Sequence, residues 1–528
     1  MPIRSALTSS SVGALGLTAH PTEYWRMATT LTSRPGAPYR RSSASCAVLL
    51  ILATLTACDR DLATESPVRH ADSRPLFDVV PTHGAADSLR ALAATHGIVA
   101  LPPAPFVRKE LAQLGRALAF DPILSGNRNM ACMTCHLPAF ATGDGKNLSI
   151  GEGGIGLGTN RTLGRGVFIP RNAPPLFNLA GLNQLFWDGR VSVDAAGAFH
   201  TPANTQVTPA MTQVFEFGAV SAIGLFPVTS RTEMRGQNNI AITTGGFTRN
   251  ELAQIPDSNF TGIWSALMAR LGAIPEYRQL FEAAYPGTPF ASMTFAHASN
   301  AMAGFFVDQL TFSNTPWDRF LAGDDAALTP QQFGGANVFM GATGKCAGCH
   351  NGALFTDAKT RNVALAQFGP GEGNGPRGND DFGRINVTGV ATDKYAFKTP
   401  ALRNVELTGP YGHAGQFATL RGFVDHYSES DVKLANYDVS QIDPLLRGTL
   451  LPTTTDILAT RAGGLNGLVL TPQQIDDITA YLLALTDPRA RSLAGLTPVH
   501  VPSGLTPPGA PVLGLPPIKP LASRSGAP

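Results

Sequence analysis

Cys132-Met133-Thr134-Cys135-His136 and Cys346-Ala347-Gly348-Cys349-His350 set two thiols and an imidazole at the same spacing twice in one chain of 528 residues. In each stretch the thiols can add to the vinyl groups of one porphyrin while the adjacent imidazole reaches its iron, so the covalent link and the proximal ligand come from one short segment. Zinc is the rival reading, because two Cys-x-x-Cys pairs can furnish four thiolates. The pairs lie far apart in the chain and each is followed directly by His, which favours haem c. Two covalent haems are therefore expected, attached at Cys132, Cys135, Cys346 and Cys349, with His136 and His350 as iron ligands.

The two remaining cysteines, Cys46 and Cys58, precede this region. Arg40 and Arg41 lead into the apolar run Ala47 to Ala53, which is too short to cross a bilayer and suits the core of a secretory signal. It ends in Leu55-Thr56-Ala57-Cys58, similar to a bacterial lipobox. Residues 1–57 are expected to be a lipoprotein-type signal peptide, with Met27 a second candidate start, and Cys58 the lipid anchor of the mature chain. An ordinary signal peptide with an incidental cysteine is the alternative, and either one exports the protein. Residues 58–100 then read as a tether with room for one short helix.

Composition narrows the class further. With 43% apolar and 15% charged residues and a net charge of +2, the chain is neither disordered nor fibrous, and nothing in it is basic enough for a nucleic-acid binder. Its 55 Gly and 41 Pro predict long irregular loops around helical cores. Helical spacing occurs over Glu110 to Phe120, with Leu111, Leu114 and Leu118 on one face, and returns at Trp264 to Leu271, Tyr277 to Ala284 and Phe295 to Leu310. Thr329-Pro330-Gln331-Gln332 and Thr471-Pro472-Gln473-Gln474 are two similar helix starts, each with a Thr cap and a Pro in the first turn. Leu148 to Gly166 and Val191 to Phe260 lack periodicity and read as loops, and the Pro-rich stretch 490–528 reads as an extended tail.

Several ordered blocks between Leu111 and Asp487 resemble the bacterial dihaem cytochrome c peroxidase and MauG family. They are Leu118-Ala119-Phe120-Asp121-Pro122, Arg171-Asn172-Ala173-Pro174, Phe186-Trp187-Asp188-Gly189-Arg190, Pro316-Trp317-Asp318-Arg319-Phe320, Lys398-Thr399-Pro400-Ala401-Leu402-Arg403-Asn404 and Thr408-Gly409-Pro410-Tyr411-Gly412-His413. The resemblance implies a mainly α protein of two cytochrome c-like haem domains with long irregular loops. The first, over residues 101–325, would carry the peroxidatic haem, and the second, over 326–489, the electron-transfer haem.

The resemblance also implies roles position by position. Trp187 would relay electrons between the haems. Asn172, with backbone carbonyls at Thr408 and Pro410, would hold a calcium ion, a donor set suited to a hard divalent cation. Pro227 and Glu233 would line the peroxide pocket, Glu233 moving a proton between the two peroxide oxygens. The peroxidase branch has a releasable His shortly after its first motif, but no histidine occurs between His136 and His200, so the first haem is expected to be five-coordinate unless His200 reaches it. Tyr427 falls where the MauG branch ligates its second haem, with His426 the rival ligand; a phenolate oxygen favours ferric and higher states.

The expected activity is reduction of hydrogen peroxide by electrons from a small periplasmic donor, a cytochrome or copper protein. A MauG-like oxidase of a protein or organic substrate and a non-catalytic electron carrier are the alternatives. The expected setting is the periplasmic face of a bacterial membrane, touched only through the lipid anchor, with a homodimer compatible with the family.

Overall fold

The structure, a computed structural model, describes residues 82–237, 241–243 and 246–510. Cys46, Cys58, the signal and most of the tether lie outside the described residues, as does the tail beyond 510. The longer helices are α1 (His83–Thr95), α2 (Lys109–Phe120), α3 (Phe260–Gly272), α4 (Pro275–Ala284), α5 (Phe295–Leu310), α6 (Pro330–Met340), α7 (Leu420–Tyr427) and α8 (Pro472–Leu483). The expected amphipathic faces are buried: Leu111, Leu114 and Leu118 on α2, and Ile475, Ile478 and Leu482 on α8. At the two similar helix starts the reciprocal cap is complete. Thr329 Oγ1 accepts from the Gln332 amide and Gln332 Oε1 from the Thr329 amide, and Thr471 and Gln474 repeat the pattern.

The apolar side chains form two large cores, one around each Cys-x-x-Cys-His. The first gathers α2 to α5 with Met133, and the second gathers α6 and α8 with Trp317, Phe320 and Phe355. Each core is built on one close helix crossing. A Cβ on Gly115 of α2 would lie 1.9 Å from the Ala301 carbonyl oxygen of α5, and one on Gly335 of α6 would lie 1.8 Å from the Asp477 carbonyl oxygen of α8. Only a residue without a side chain permits these backbone contacts. The helix preceding each haem motif is thereby locked against a later helix of its own core.

The chain ends cross over. Helix α1, in the stretch read as tether, buries Ala86, Leu89 and Ala93 in the second core, and the His96 ring bonds the Met340 carbonyl at 3.1 Å. Conversely, residues 490–510 lie on the first core, burying Leu493 and Val501, with Ser503 Oγ donating to Asp121 at 2.6 Å and Arg116 Nε to the Leu496 carbonyl at 2.8 Å. This part of the Pro-rich tail packs because its apolar residues reach a ready surface, with only the short 3-10 turns Pro488–Arg491 and Ala494–Leu496 for regular structure.

Sheet is minor among the described residues. Strands β1 (Gln184–Leu185), β2 (Val191–Val193) and β3 (Phe199–His200) form a three-stranded antiparallel sheet, with Gln184 opposite Ser192 and Ser192 opposite His200. β2 and β3 fall in the stretch from Val191 that reads as a loop, since two or three residues are too short to show alternation. β4 (Ala241–Thr243) pairs with β5 (Gly246–Thr248), and β6 (Thr360–Arg361) with β7 (Phe397–Lys398). The glycine-dense loop 148–166 is held from inside by the buried Arg161 guanidinium, which donates to the carbonyls of Ile150, Gly151 and Gly156 at 2.7 to 2.9 Å.

Neighbouring glycines of α6 separate packing from helix propensity. Gly335→Ala is expected to destabilise the haem-loaded protein by about 1–3 kcal/mol through overpacking. At Gly334 an added Cβ meets no atom within 4 Å, so Gly334→Ala is expected to stabilise by about 0.5–1 kcal/mol. Denaturant midpoints of the two variants should move in opposite directions.

Candidate active site

Both haem motifs are arranged for attachment. Cys132 and Cys135 form the ends of a single helical turn, and all four motif thiols are free. His136 Nδ1 bonds the Thr142 carbonyl at 3.0 Å, and His350 Nδ1 bonds the Phe355 carbonyl at 3.1 Å. A carbonyl accepts only from N–H, so each ring is fixed with its proton on Nδ1 and a lone pair on Nε2, the form that binds iron. Thr142 and Phe355 both have left-handed backbone, at φ 64° and 57°, although both are fully buried non-glycine residues. Burial lowers the pKa of both imidazoles, that of His350 to about 4, which keeps the ligand nitrogen unprotonated.

The two thiol pairs belong to different cores, and among the described residues no three His, Cys, Asp or Glu side chains converge as a metal cluster. Four-thiolate zinc binding is thus ruled out by placement. Free thiol pairs, a fixed imidazole tautomer and a cavity beside the first motif are what covalent haem requires. That cavity is lined by Cys132, Cys135 and His136, and by Trp187, Pro227 and Glu233. The sequence-predicted residues of the first site are therefore brought together.

Glu233 sits on a single wide helical turn, Arg231–Arg235, whose start is capped by Ser230 Oγ accepting from the Glu233 amide at 3.2 Å. Burial raises its carboxyl pKa, the Arg190 guanidinium opposes, and the negative charge of Glu372 adds to the rise. Glu233 also lines a second, larger space of about 940 Å³, a vestibule whose walls include Arg190, Phe199, Phe226, Phe260, Glu372 and Arg384. His200 stands in the vestibule wall, 62% exposed and paired with Asp194 at 2.9 Å, and is absent from the lining of the haem cavity.

Trp187 is tied at both ends. Its Nε1 donates to the Asn172 carbonyl at 2.8 Å, and its own carbonyl accepts from the Lys398 amide at 2.7 Å. Two residues beyond Asn172, the Pro174 carbonyl faces the His136 ring, and two residues beyond Lys398 the Pro400 carbonyl faces the His350 ring. Trp187 is thus fastened to both of these segments, by its indole to the first and by its backbone to the second.

In the second site, Tyr427 at the end of α7 lies by the thiols of Cys346 and Cys349, which with burial raise its phenol pKa. Among the described residues its hydroxyl has no hydrogen-bond partner. His426 is engaged elsewhere: its Nε2 bonds the Val363 carbonyl at 2.9 Å, and Nδ1 is buried with no partner. Under the motif, fully buried Arg403 forks onto Asp318 at 2.7 and 2.9 Å and donates to the Ala353 carbonyl at 2.6 Å, which joins two of the quoted blocks beneath His350.

Asn172 Nδ2 donates to the carbonyls of Lys146 and Asn147. Asn147 in turn lies against Gly415, where an added Cβ would also touch Pro410, and its Nδ2 bonds the Gly415 carbonyl. Asn172 and the Thr408–Pro410 segment therefore meet through Asn147. No described residue donates to the Asn172 amide oxygen or to the Thr408 and Pro410 carbonyls, which leaves oxygen donors of the kind a hard cation takes.

Sequence reasoning missed the ion cluster that joins the halves. Arg171, 7% exposed, forks onto Asp381 at 2.7 and 2.9 Å and reaches Asp188 at 2.6 Å. Burial alone would raise both carboxyls, but at Asp188 the Arg190 and Arg171 guanidiniums, and at Asp381 that of Arg171, hold them below the usual range. Two of these residues stand in quoted blocks, yet a pairing across 210 positions leaves no local signal.

Comparison with known proteins agrees with this site. Residues 109–326 match the family model of di-haem cytochrome c peroxidase. Methylamine utilization protein MauG of Methylorubrum extorquens is 28% identical over 334 residues, 63% of this chain and 72% of that protein. Cytochrome c551 peroxidase of Pseudomonas aeruginosa is 28% identical over 364 residues, 66% of this chain and 84% of its own. The crystal structure of a MauG-like protein associated with microbial copper homeostasis gives a TM-score of 0.51 at 24% identity, covering 74% of this chain and 95% of that one, and bears on the fold alone. The protein is thus a peroxidase-type oxidoreductase carrying haem c. By these matches the chain resembles the dihaem cytochrome c peroxidase and MauG family.

Carboxyls held low by a cation contribute stability above the ordinary carboxylate range and lose it as pH falls through their depressed values. Arg171→Met leaves Asp188 and Asp381 buried and under-paired, and is expected to cost about 3–5 kcal/mol at pH 7. The deficit should shrink as pH falls below about 4, where the carboxyls of the unfolded chain take up protons, toward the depressed values of the folded parent. Denaturant unfolding of parent and variant across that range measures it.

Proposed function

We propose that this chain is a dihaem c-type peroxidase that reduces hydrogen peroxide at the His136 haem, with electrons entering through the His350 haem. The observation that carries the reading is the shared cavity: one space beside the first motif holds His136, Pro227 and Glu233, and no described residue other than His136 offers it an imidazole. Haem, when bound, supplies the redox chemistry of O–O cleavage. The side chains do the rest. Glu233, with its carboxyl pKa raised by burial, exchanges a proton with the peroxide oxygens. Pro227 keeps that wall apolar, and the absence of His200 from the cavity supports a first haem with one protein ligand. Trp187 is the relay between the sites, supported by its hydrogen bonds to both proximal segments.

Residues 101–325 and 326–489 serve as the two cytochrome c-like haem domains, each completed by a chain end from outside those limits. Asn172 with the Thr408 and Pro410 carbonyls holds calcium at their boundary. Cys58 anchors the protein by lipid at the periplasmic side of a bacterial membrane, where a small cytochrome or copper protein is the donor. Among the described residues no helix is long and apolar enough to cross a membrane.

A second reading draws on Tyr427. A free phenol beside the Cys346 and Cys349 thiols fits a tyrosine-ligated second haem, the MauG-like arrangement suited to oxidising a protein or organic substrate. A plain electron carrier has no use for a carboxyl in an open first-haem pocket.

Two substitutions test these assignments. Glu233→Gln is expected to slow the reaction with peroxide by about 10²–10⁴-fold in stopped-flow measurements, with haem content unchanged. Tyr427→Phe is expected to change the spectrum of the second haem alone, and an unaltered spectrum removes Tyr427 as its ligand.

A further inference from the structure

We propose that Glu372, contributed by the second half of the chain, is a proton carrier of the peroxide site, passing protons from vestibule water to Glu233. The proposal rests on the reading of Glu233 above and adds the route by which its proton is replaced.

Three observations converge on this residue. Among the carboxylates of the described residues, only Glu233 and Glu372 line both the haem cavity and the vestibule, so the pair stands where the two spaces join. Glu372 is the outer member, its side chain 36% exposed to the vestibule. It is also held in place. Its amide donates to the Asp380 carbonyl at 2.9 Å, and the preceding Gly371, at φ +61°, has no room for a side chain against Asn379. The adjoining Asp381 is forked by Arg171, whose Nε lies 3.6 Å from Glu372 Oε1.

The surrounding charges suit exchange over permanent pairing. Arg171 is committed to Asp381 and Asp188, Arg190 to Asp188, and Arg384 to the Asp188 and Gly189 carbonyls. His200, across the vestibule, is paired with Asp194. Glu372 makes no side-chain hydrogen bond among the described residues. Burial raises its carboxyl pKa, Arg171 opposes, and Asp381 adds to the rise. Glu372 in turn raises Glu233, so a proton lost from the inner carboxyl is readily regained.

Reduction of hydrogen peroxide to two waters consumes two electrons from the donor and two protons from solvent. Each proton leaves a vestibule water, resides on the Glu372 carboxylate, crosses through water to Glu233 and ends on a departing oxygen, which leaves both carboxylates as they began.

The test uses the full haem-loaded chain and Glu372→Gln, with Glu233→Gln beside it. The pH profile of kcat/KM for peroxide, the solvent deuterium isotope effect, and a pH titration of the ferric absorption bands without turnover are measured for each. Glu372→Gln removes a negative neighbour of Glu233. The acid limb and the spectroscopic midpoint should therefore move to lower pH, the isotope effect should rise, and kcat/KM at neutral pH should fall about tenfold. A purely structural role would move neither midpoint, and a neighbour acting by its charge alone would move both while leaving the isotope effect at the parent value, which overturns the proposal. Profiles superimposable on the parent overturn the proposal whatever Glu233→Gln does. Full activity in Glu233→Gln overturns the reading of Glu233 on which the proposal rests, whereas a slowed Glu233→Gln beside an unmoved Glu372→Gln overturns the role of Glu372 alone.

Discussion

One buried guanidinium sets the geometry on which the site depends. Arg171 precedes Asn172, whose carbonyl holds the Trp187 indole, and it bonds both Asp188, next to that indole, and Asp381, more than two hundred residues away. Removing three charged groups from water is costly, and an apolar substitute of similar volume could match the stability. What an apolar cluster would not supply is direction. The fork onto Asp381 fixes the loop carrying Glu372 opposite the turn carrying Glu233, and the bond to Asp188 fixes the orientation of Trp187. The cavity wall is thus assembled from both halves of the chain.

A second constraint acts twice. In each core a glycine-permitted helix crossing fixes the helix ahead of the motif, and a left-handed residue shortly after it turns a carbonyl onto the proximal imidazole. A bulky residue with positive φ is strained, and here the strain is sustained by full burial of Thr142 and Phe355. The reward is a fixed tautomer, so that Nε2 is presented to the iron without rearrangement. The two sites then diverge in the side chains near each motif: a carboxyl in a cavity that adjoins a vestibule at the first, a phenol beside the Cys346 and Cys349 thiols at the second.

Much of this was legible in the sequence for definite reasons. The motifs fix attachment and proximal ligand within five residues each. Leucine spacing on α2 and the Thr-Pro-Gln-Gln starts of α6 and α8 are local signals, and the structure realises them as buried faces and capping boxes. What could not be read was long-range. Residues 82–95 are polar enough to pass for a tether, yet Ala86, Leu89 and Ala93 on one face seat α1 in the second core. The stretch 490–510 resembles an unstructured tail, yet Leu493 and Val501 lodge on the first. Glu372 lies in a glycine-rich loop with no motif around it, and only the Arg171 fork reveals its position. His200 and His426 are ligand candidates by chemistry; the structure pairs His200 with Asp194 and one ring nitrogen of His426 with the Val363 carbonyl, contacts that carry no sequence signal.

The central claim is that the first haem pocket is open to peroxide. It is tested most directly by electron paramagnetic resonance of the ferric, haem-loaded full chain before and after peroxide. The account predicts one high-spin and one low-spin haem in the resting protein, with the high-spin signal lost rapidly on mixing. Two low-spin signals that peroxide leaves unchanged would contradict it.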